Sequence, residues 1–378
     1  MSELNASNIR KERGNEGPDL VGVTELTSSY YMVPPSGTTA ERPQNPEPGT
    51  LRFNTTIGSL EYFKGDTLGW ESINRTTPNL NGGARGIFAM SYQPGVSNRI
   101  EYVTISTLGN AVDFGDLVNS RKFGAALSSR TRGIWAGGGP GAPGHDNIDY
   151  ITISSTGNAA DFGNLTDNRV EHDGLSTQTR GVFTGGYKQP AFRDFIDYIT
   201  IASTGNAKDF GDLTNTRACQ GQGGGASTTR GLIAGGQRPG GDTNAIEYIT
   251  VATLGNAADF GDLFTGQSMN GFATGTTAIK MFCMGGGPAG DQTGVITFAT
   301  LGNAIDFGGE IVMGGNYVAG CGSPTRGLCA SGAPGINTIK YIDYATVSDG
   351  IDFGDLTAVA SGMRGLSNAH GGLYYVTN

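Results

Sequence analysis

The sequence is short of the groups that most metal and redox sites use. Its 378 residues include four cysteines and three histidines. Cys219, Cys283, Cys321 and Cys329 form no C-x-x-C pair, so they read as buried free thiols and not as a disulfide or zinc framework. His145, His172 and His370 have no His or Cys at metal-ligand spacing, so neither a metal nor a cofactor is expected. No apolar run approaches the roughly 18 residues of a membrane span. Met1 to Asn15 is polar and lacks the apolar core of a secretory signal. Basic charge is also scarce: 25 Lys and Arg against 34 Asp and Glu give a formal net charge of −9. Such a surface repels phosphate backbones, so no nucleic-acid partner is expected. Sustained 3.6-residue periodicity is missing, which leaves little room for helix.

Glycine is abundant, at 64 residues, and 17 Phe, 14 Tyr and 2 Trp accompany it. Those aromatics can supply a core, and the glycines fit tight turns between short strands. Repeats organise them. Asp-Phe-Gly recurs at Asp113, Asp161, Asp209, Asp259, Asp306 and Asp352, at intervals of 46 to 50 residues. Arg-Gly followed by apolar residues recurs at Arg85, Arg132, Arg180, Arg230 and Arg326, with Lys280 in the fifth unit. Ile-acid-Tyr recurs at Ile100, Ile148, Ile196 and Ile246, and is assigned to Ile342 in the sixth unit. Each unit reads as four short strands, a to d. Gly-Asn, as in Gly157-Asn158, serves as a hairpin turn between c and d.

Four-stranded units of this period match propeller blades. The Gly-Gly after strand b and the Arg after strand d resemble kelch repeats, although Phe stands where kelch strand d has Trp. The expected fold is therefore all-β, a kelch-like β-propeller behind an extended N-terminal arm. Asp-Phe-Gly counts six blades. The tail from Gly365 to Val376 reads as a further a and b, and Ser59–Phe63 with Gly69–Arg75 reads as the matching c and d. On that reading there are seven blades, with residues 57–75 and 359–378 closing one blade together and residues 1–56 forming the arm. Six is the alternative count. Acids on strand c (Glu61, Glu101, Asp149, Asp197, Glu247, Asp343) read either as partners of the strand-b bases or as solvated surface charge.

Enzyme motifs are few. No Gly-x-Ser-x-Gly elbow supports a triad, and Gly221–Ala226 lacks the Lys-Ser/Thr of a phosphate cradle. The c–d turns are nearly uniform, whereas the b–c loops all differ. They carry Tyr92, His145, Tyr187, Phe192, Arg193, Phe195 and Arg238. Loop aromatics and arginines are typical partner anchors, so these residues are the candidate binding set. Unconstrained drift of loop sequence is the bland alternative.

The arm carries a resemblance. Asn8–Asn15, Val33–Pro43, Gly49–Thr55, Gly58–Phe63 and Gly69-Trp70 resemble virion structural proteins of tailed bacteriophages, in particular those infecting cyanobacteria. The resemblance implies a virion component in multiple copies: a tail fibre, appendage or surface protein. Its arm would meet other virion proteins, and its propeller would meet a host glycan, another receptor or a neighbour in the particle. A phage polysaccharide hydrolase and a cellular kelch-type adaptor are the other readings.

Overall fold

A computed structural model of the chain describes residues 34–67, 69–72, 84–141, 143–264, 270–286 and 291–373. The chain divides into two compact units, Met1–Thr77 and Pro78–Asn378. Among the described residues both are built of strands, with short 3-10 turns at Thr39–Glu41 and Gly371–Leu373. None of their helices is long and apolar enough to cross a membrane.

In the N-terminal unit, Ser36–Gly37, Leu51–Asn54, Ser59–Phe63 and Trp70–Ser72 form one sheet in that order. Strand alternation sends Arg52, Asn54, Glu61 and Phe63 to a covered face. There the buried Glu61 accepts hydrogen bonds from Arg42 Nη2 at 2.6 Å and Asn54 Nδ2 at 3.1 Å. The Arg42 bond is the main reason that its carboxyl stays below the usual range. Glu61 is thus held by Arg42 and Arg52, not by a strand-b base. The other face leaves Leu51 and Phe53 exposed, each 37% accessible.

Among the described residues the C-terminal unit holds six four-stranded antiparallel sheets. The second, as an example, runs Ala125–Ser128, Arg132–Ala136, Asn147–Thr152 and Ala160–Asn164, as strands a to d. The third to sixth begin with strands a at Asp173–Ser176, Gly224–Ala226, Ala273–Thr276 and Ala319–Gly322. The first sheet joins the two ends of the unit: Arg364–Ser367 is its strand a, followed by Arg85–Ala89, Ser97–Thr104 and Val112–Arg121. The tail therefore differs from its expected role. It supplies one strand, and that strand pairs with Arg85–Ala89. Ser59–Phe63 does pair with Trp70–Ser72 as expected, but its other neighbour is Leu51–Asn54 and not a strand of the tail. The physical reason is that Arg85–Ala89 would otherwise be a strand b with an open inner edge. Residues 1–33, 73–75 and 374–378, which also entered those expectations, lie outside the described residues.

Each sheet packs on the next through its own apolar cluster. Ile87, Phe114 and Leu117 of the first sheet meet Trp135 and Ile151 of the second. The last cluster joins Leu328 and Tyr341 of the sixth to Phe88 and Val103 of the first, so the series returns to its start. The six strands a likewise touch one another in a closed order.

Polar clasps repeat at every junction. The Asn of the c–d turn accepts a backbone N–H from strand d of the preceding sheet, as in Asp116 N to Asn158 Oδ1 and Asp355 N to Asn110 Oδ1. Asp349 does the same work in the sixth sheet. The Gly of Asp-Phe-Gly makes this approach feasible: Gly115 has φ 144°, and a Cβ there would lie 2.4 Å from Gly157 O. Strand-b arginines also reach across the junction. Arg132 donates to Ile201 O at 2.9 Å while its guanidinium lies 4.8 Å from the Tyr150 ring centre. Arg326 closes the series on Ile105 O and also meets Asp343.

The pairing of bases with strand-c acids is thus mostly different from the one expected. Asp149, Asp197 and Glu247 are buried against Arg121, Arg169 and Arg217, the arginines that precede strand a. The sixth unit also needs a three-residue correction. Lys340 lies opposite Cys329, where Asp149 lies opposite Trp135, so Lys340 holds the acid's place and Asp343 does not.

Candidate binding face

The b–c loops meet the d–a connections at one end of the sheets. Isolated bridges join Gln93 to Ser361, Lys122 to Gly139, Val170 to Tyr187 and Ala218 to Gln237. This end carries all seven sequence-derived candidates, in separate groups. Tyr187 and Phe192 sit on a small hairpin with ring centres 5.2 Å apart. Beside them Arg193 lies over Phe195 and within 3.6 Å of Asp167, which also holds Lys188. Arg238 turns inward to the buried Glu247 at 3.6 Å. His145 is half-buried, and its backbone bonds to Gly138 and Arg169. Tyr92 belongs elsewhere, in a cluster with Phe123 and Tyr317 at centre distances of 5.2 and 5.9 Å.

That cluster contains residues the sequence reading missed. Aligning the strands a places Phe123, Glu171, Gly221, Gly271, Tyr317 and Gly362 at one equivalent turn position. Gly271 and Gly362 have φ of 88° and 66°, a conformation natural to glycine. Phe123, Glu171 and Tyr317 adopt it too, with φ of 55°, 54° and 70°. For an L-residue that conformation costs about 1–2 kcal/mol. The turns are joined by backbone bonds, with Glu171 N donating to Phe123 O, Cys219 N to Glu171 O and Gly362 N to Tyr317 O.

Lys122 Nζ lies 4.0 Å from the Tyr92 ring centre and 5.4 Å from that of Phe123. Burial raises the Glu171 carboxyl above its ordinary range, against the pull of Arg364 and Lys122. Burial also raises the Tyr317 phenol, helped by the negative charge of Glu171. Beneath this layer the axis is filled. Arg364, fully buried, donates to the carbonyls of Cys219, Gln220 and Met363. Gln222 bridges Gly320 and Gly365. Asp173 is sealed in, and burial pushes its carboxyl up to about 6. The strands a leave a cavity of about 50 Å³, room for a few waters at most.

At the opposite end the tail closes the axis. His370 Nε2 donates to Ser128 O at 3.1 Å, and Nδ1 accepts from Gly372 N at 3.2 Å. Ser176 Oγ is 3.3 Å from the same Nε2. With the proton on Nε2, this imidazole cannot take one from Ser176, so the contact is structural. Among the described residues no group of three or more His, Cys, Asp or Glu side chains is placed to hold a metal ion.

Compared with known proteins, the chain matches no protein-family model and no curated protein. The b–c end brings together the Tyr92, Phe123 and Tyr317 rings, the part-buried carboxyl of Glu171 and the Lys122 ammonium.

Proposed function

We propose that the chain is a virion structural protein of a tailed phage, a tail-fibre or surface component that meets the host through its b–c end. On this reading the C-terminal unit is a six-bladed kelch-like β-propeller. The six inter-sheet cores that return to their start support that count. The N-terminal unit is the anchor, consistent with the exposed Leu51 and Phe53 on its sheet and with the phage-like sequence there.

The observation that carries the functional part is the contrast between the sheet ends. One end repeats the same clasps, whereas the other presents Tyr92 against Phe123 in one place and a Tyr187–Phe192 hairpin in another. Function on a rigid repeat scaffold concentrates in such variable connections. The test has two parts. Mass spectrometry of purified particles is expected to find the protein, and the isolated protein is expected to compete with particles for adsorption to host cells. Absence from intact particles overturns the virion reading. Presence without competition overturns the receptor reading.

The hydrolase reading has one observation in its favour, the raised carboxyl of Glu171 at the axis. Its near neighbour Asp173 is 2% exposed, so it is poorly placed to serve as the second carboxylate of glycoside hydrolysis.

A further inference from the structure

We infer that the axial end formed by Tyr92, Lys122, Phe123, Glu171 and Tyr317 is a subsite for one pyranose unit of a neutral saccharide. This rests on the receptor reading and names its ligand class and its residues.

The first support is a comparison inside the chain. Six equivalent turns surround the axis, and glycine fills three of them. Phe123, Glu171 and Tyr317 take the strained left-handed conformation that Gly271 and Gly362 adopt freely. Backbone geometry alone would be met better by glycine, so the side chains are what these positions retain. The three side chains belong to different junctions yet fall in one cluster. Phe123 and Tyr317 have ring centres 5.1 Å apart, and Glu171 acts electrostatically on Tyr317.

The second support is the fit of ligand classes. Aromatic surface beside a carboxylate would suit a quaternary ammonium. Here Lys122 Nζ already occupies the face of Tyr92 at 4.0 Å, so an added cation meets a like charge. An added anion meets Glu171 on a chain of net charge −9. What remains is a neutral ligand with an apolar face and hydroxyls that both donate and accept. A pyranose has that character. Its C–H face can lie on the part-exposed Tyr317 and Tyr92 rings, which the buried Phe123 backs, with hydroxyls between the Glu171 carboxyl and the Lys122 ammonium. The filled axis below sets the depth at a single unit, because Arg364 and Gln222 close it.

The test uses the full chain and the methyl glycosides of glucose, galactose, mannose, rhamnose and N-acetylglucosamine. Binding is read by saturation-transfer NMR and by titration. At least one glycoside is expected to bind. Glu171→Gly, which installs the residue found at equivalent turns, is expected to weaken it at least tenfold without lowering the melting temperature. Tyr317→Asn, a residue that tolerates the left-handed conformation, is expected to weaken it similarly. Binding within twofold of wild type in both variants overturns the placement. If no glycoside binds while the protein still blocks adsorption to host cells, the saccharide class is overturned and the receptor reading stands. If adsorption is unaffected as well, the receptor reading falls too.

Discussion

The two ends of the six sheets follow opposite rules. At the a–b and c–d end the same device appears at every junction. A Ser, Thr or Asn side chain caps each a–b turn, from Ser129 on Arg132 N to Asn368 on Arg85 N. An Asn or Asp clasps each neighbouring strand d. At the b–c and d–a end Arg121, Arg169 and Arg217 repeat, but the equivalent turn position before strand a carries Phe, Glu, Gly or Tyr, and the loops share no common residue set. Identical residues are needed where each unit must meet a copy of itself. Where units meet solvent, that requirement lapses and residues can be chosen singly.

The largest effect expected from breaking this arrangement is loss of the closing strand. Deleting residues 364–378 removes strand a of the first sheet, the Asn368 cap and the Arg364 bridge. It leaves Arg85–Ala89 with an open edge. The truncated chain should lose its cooperative melt and aggregate, as read by circular dichroism and size-exclusion chromatography. A melt like that of the full chain would show that closure does not hold the unit together.

Next come the buried ion pairs. Arg169 and Asp197 are almost completely buried and 2.9 Å apart. Removing one partner strands the other, so Arg169→Ala should cost about 3–5 kcal/mol in urea unfolding. Arg193→Ala breaks a half-exposed contact to Asp167 at the variable end and should cost under about 1 kcal/mol. Equal costs would contradict the division between a fixed frame and a free face.

Much of this frame was legible in the sequence, because period, strand alternation and the Asp-Phe-Gly string each recur within one unit. What was not legible depends on meetings between units. Gly-Asn reads as a hairpin turn, yet its Asn side chain works on the preceding sheet. The sixth strand c contains two consecutive Ile-x-Tyr triplets, Ile339-Lys340-Tyr341 and Ile342-Asp343-Tyr344, and only the register with strand b chooses between them. The true partner of the tail did leave a signal. A hydroxyl residue stands three before each later strand-b base, as Ser129 before Arg132, whereas Gly82 stands three before Arg85. The first unit lacks its own cap, and Asn368 supplies it. The axial residues Phe123, Glu171 and Tyr317 stayed hidden because strand a, which sets their equivalence, has the weakest sequence signature.

The ends should also differ in the sign of their pH dependence. Asp173, near the variable end, is raised from 3.8 to about 6 by burial. Its contribution is greatest below pH 3.8 and is lost as pH rises through 6, by up to about 3 kcal/mol. His370, at the uniform end, is lowered from 6.5 to about 4 by burial. Its contribution is present above pH 6.5 and is lost as pH falls through 4. Urea midpoints between pH 4 and 7 should therefore respond oppositely to two substitutions. Asp173→Asn should remove a decline with rising pH, and His370→Asn should remove a decline with falling pH. Shifts of the same sign would mean that one of the two groups is not held as described.

A small effect bears most directly on the uniform end. Asn158→Ala deletes one clasp, a 3.1 Å hydrogen bond from Asp116 N in an exposed setting. A net loss of about 1 kcal/mol is expected. Asn256→Ala deletes the equivalent bond two junctions away. Because the two clasps share no partner, the double variant should lose the sum of the single losses within about 0.5 kcal/mol. If each junction is an independent copy, additivity follows. A double loss well above the sum would mean that strain passes from one junction to the next around the cycle. The uniform end would then act as one cooperative hoop, and changes at the b–c end could be felt at junctions they do not touch.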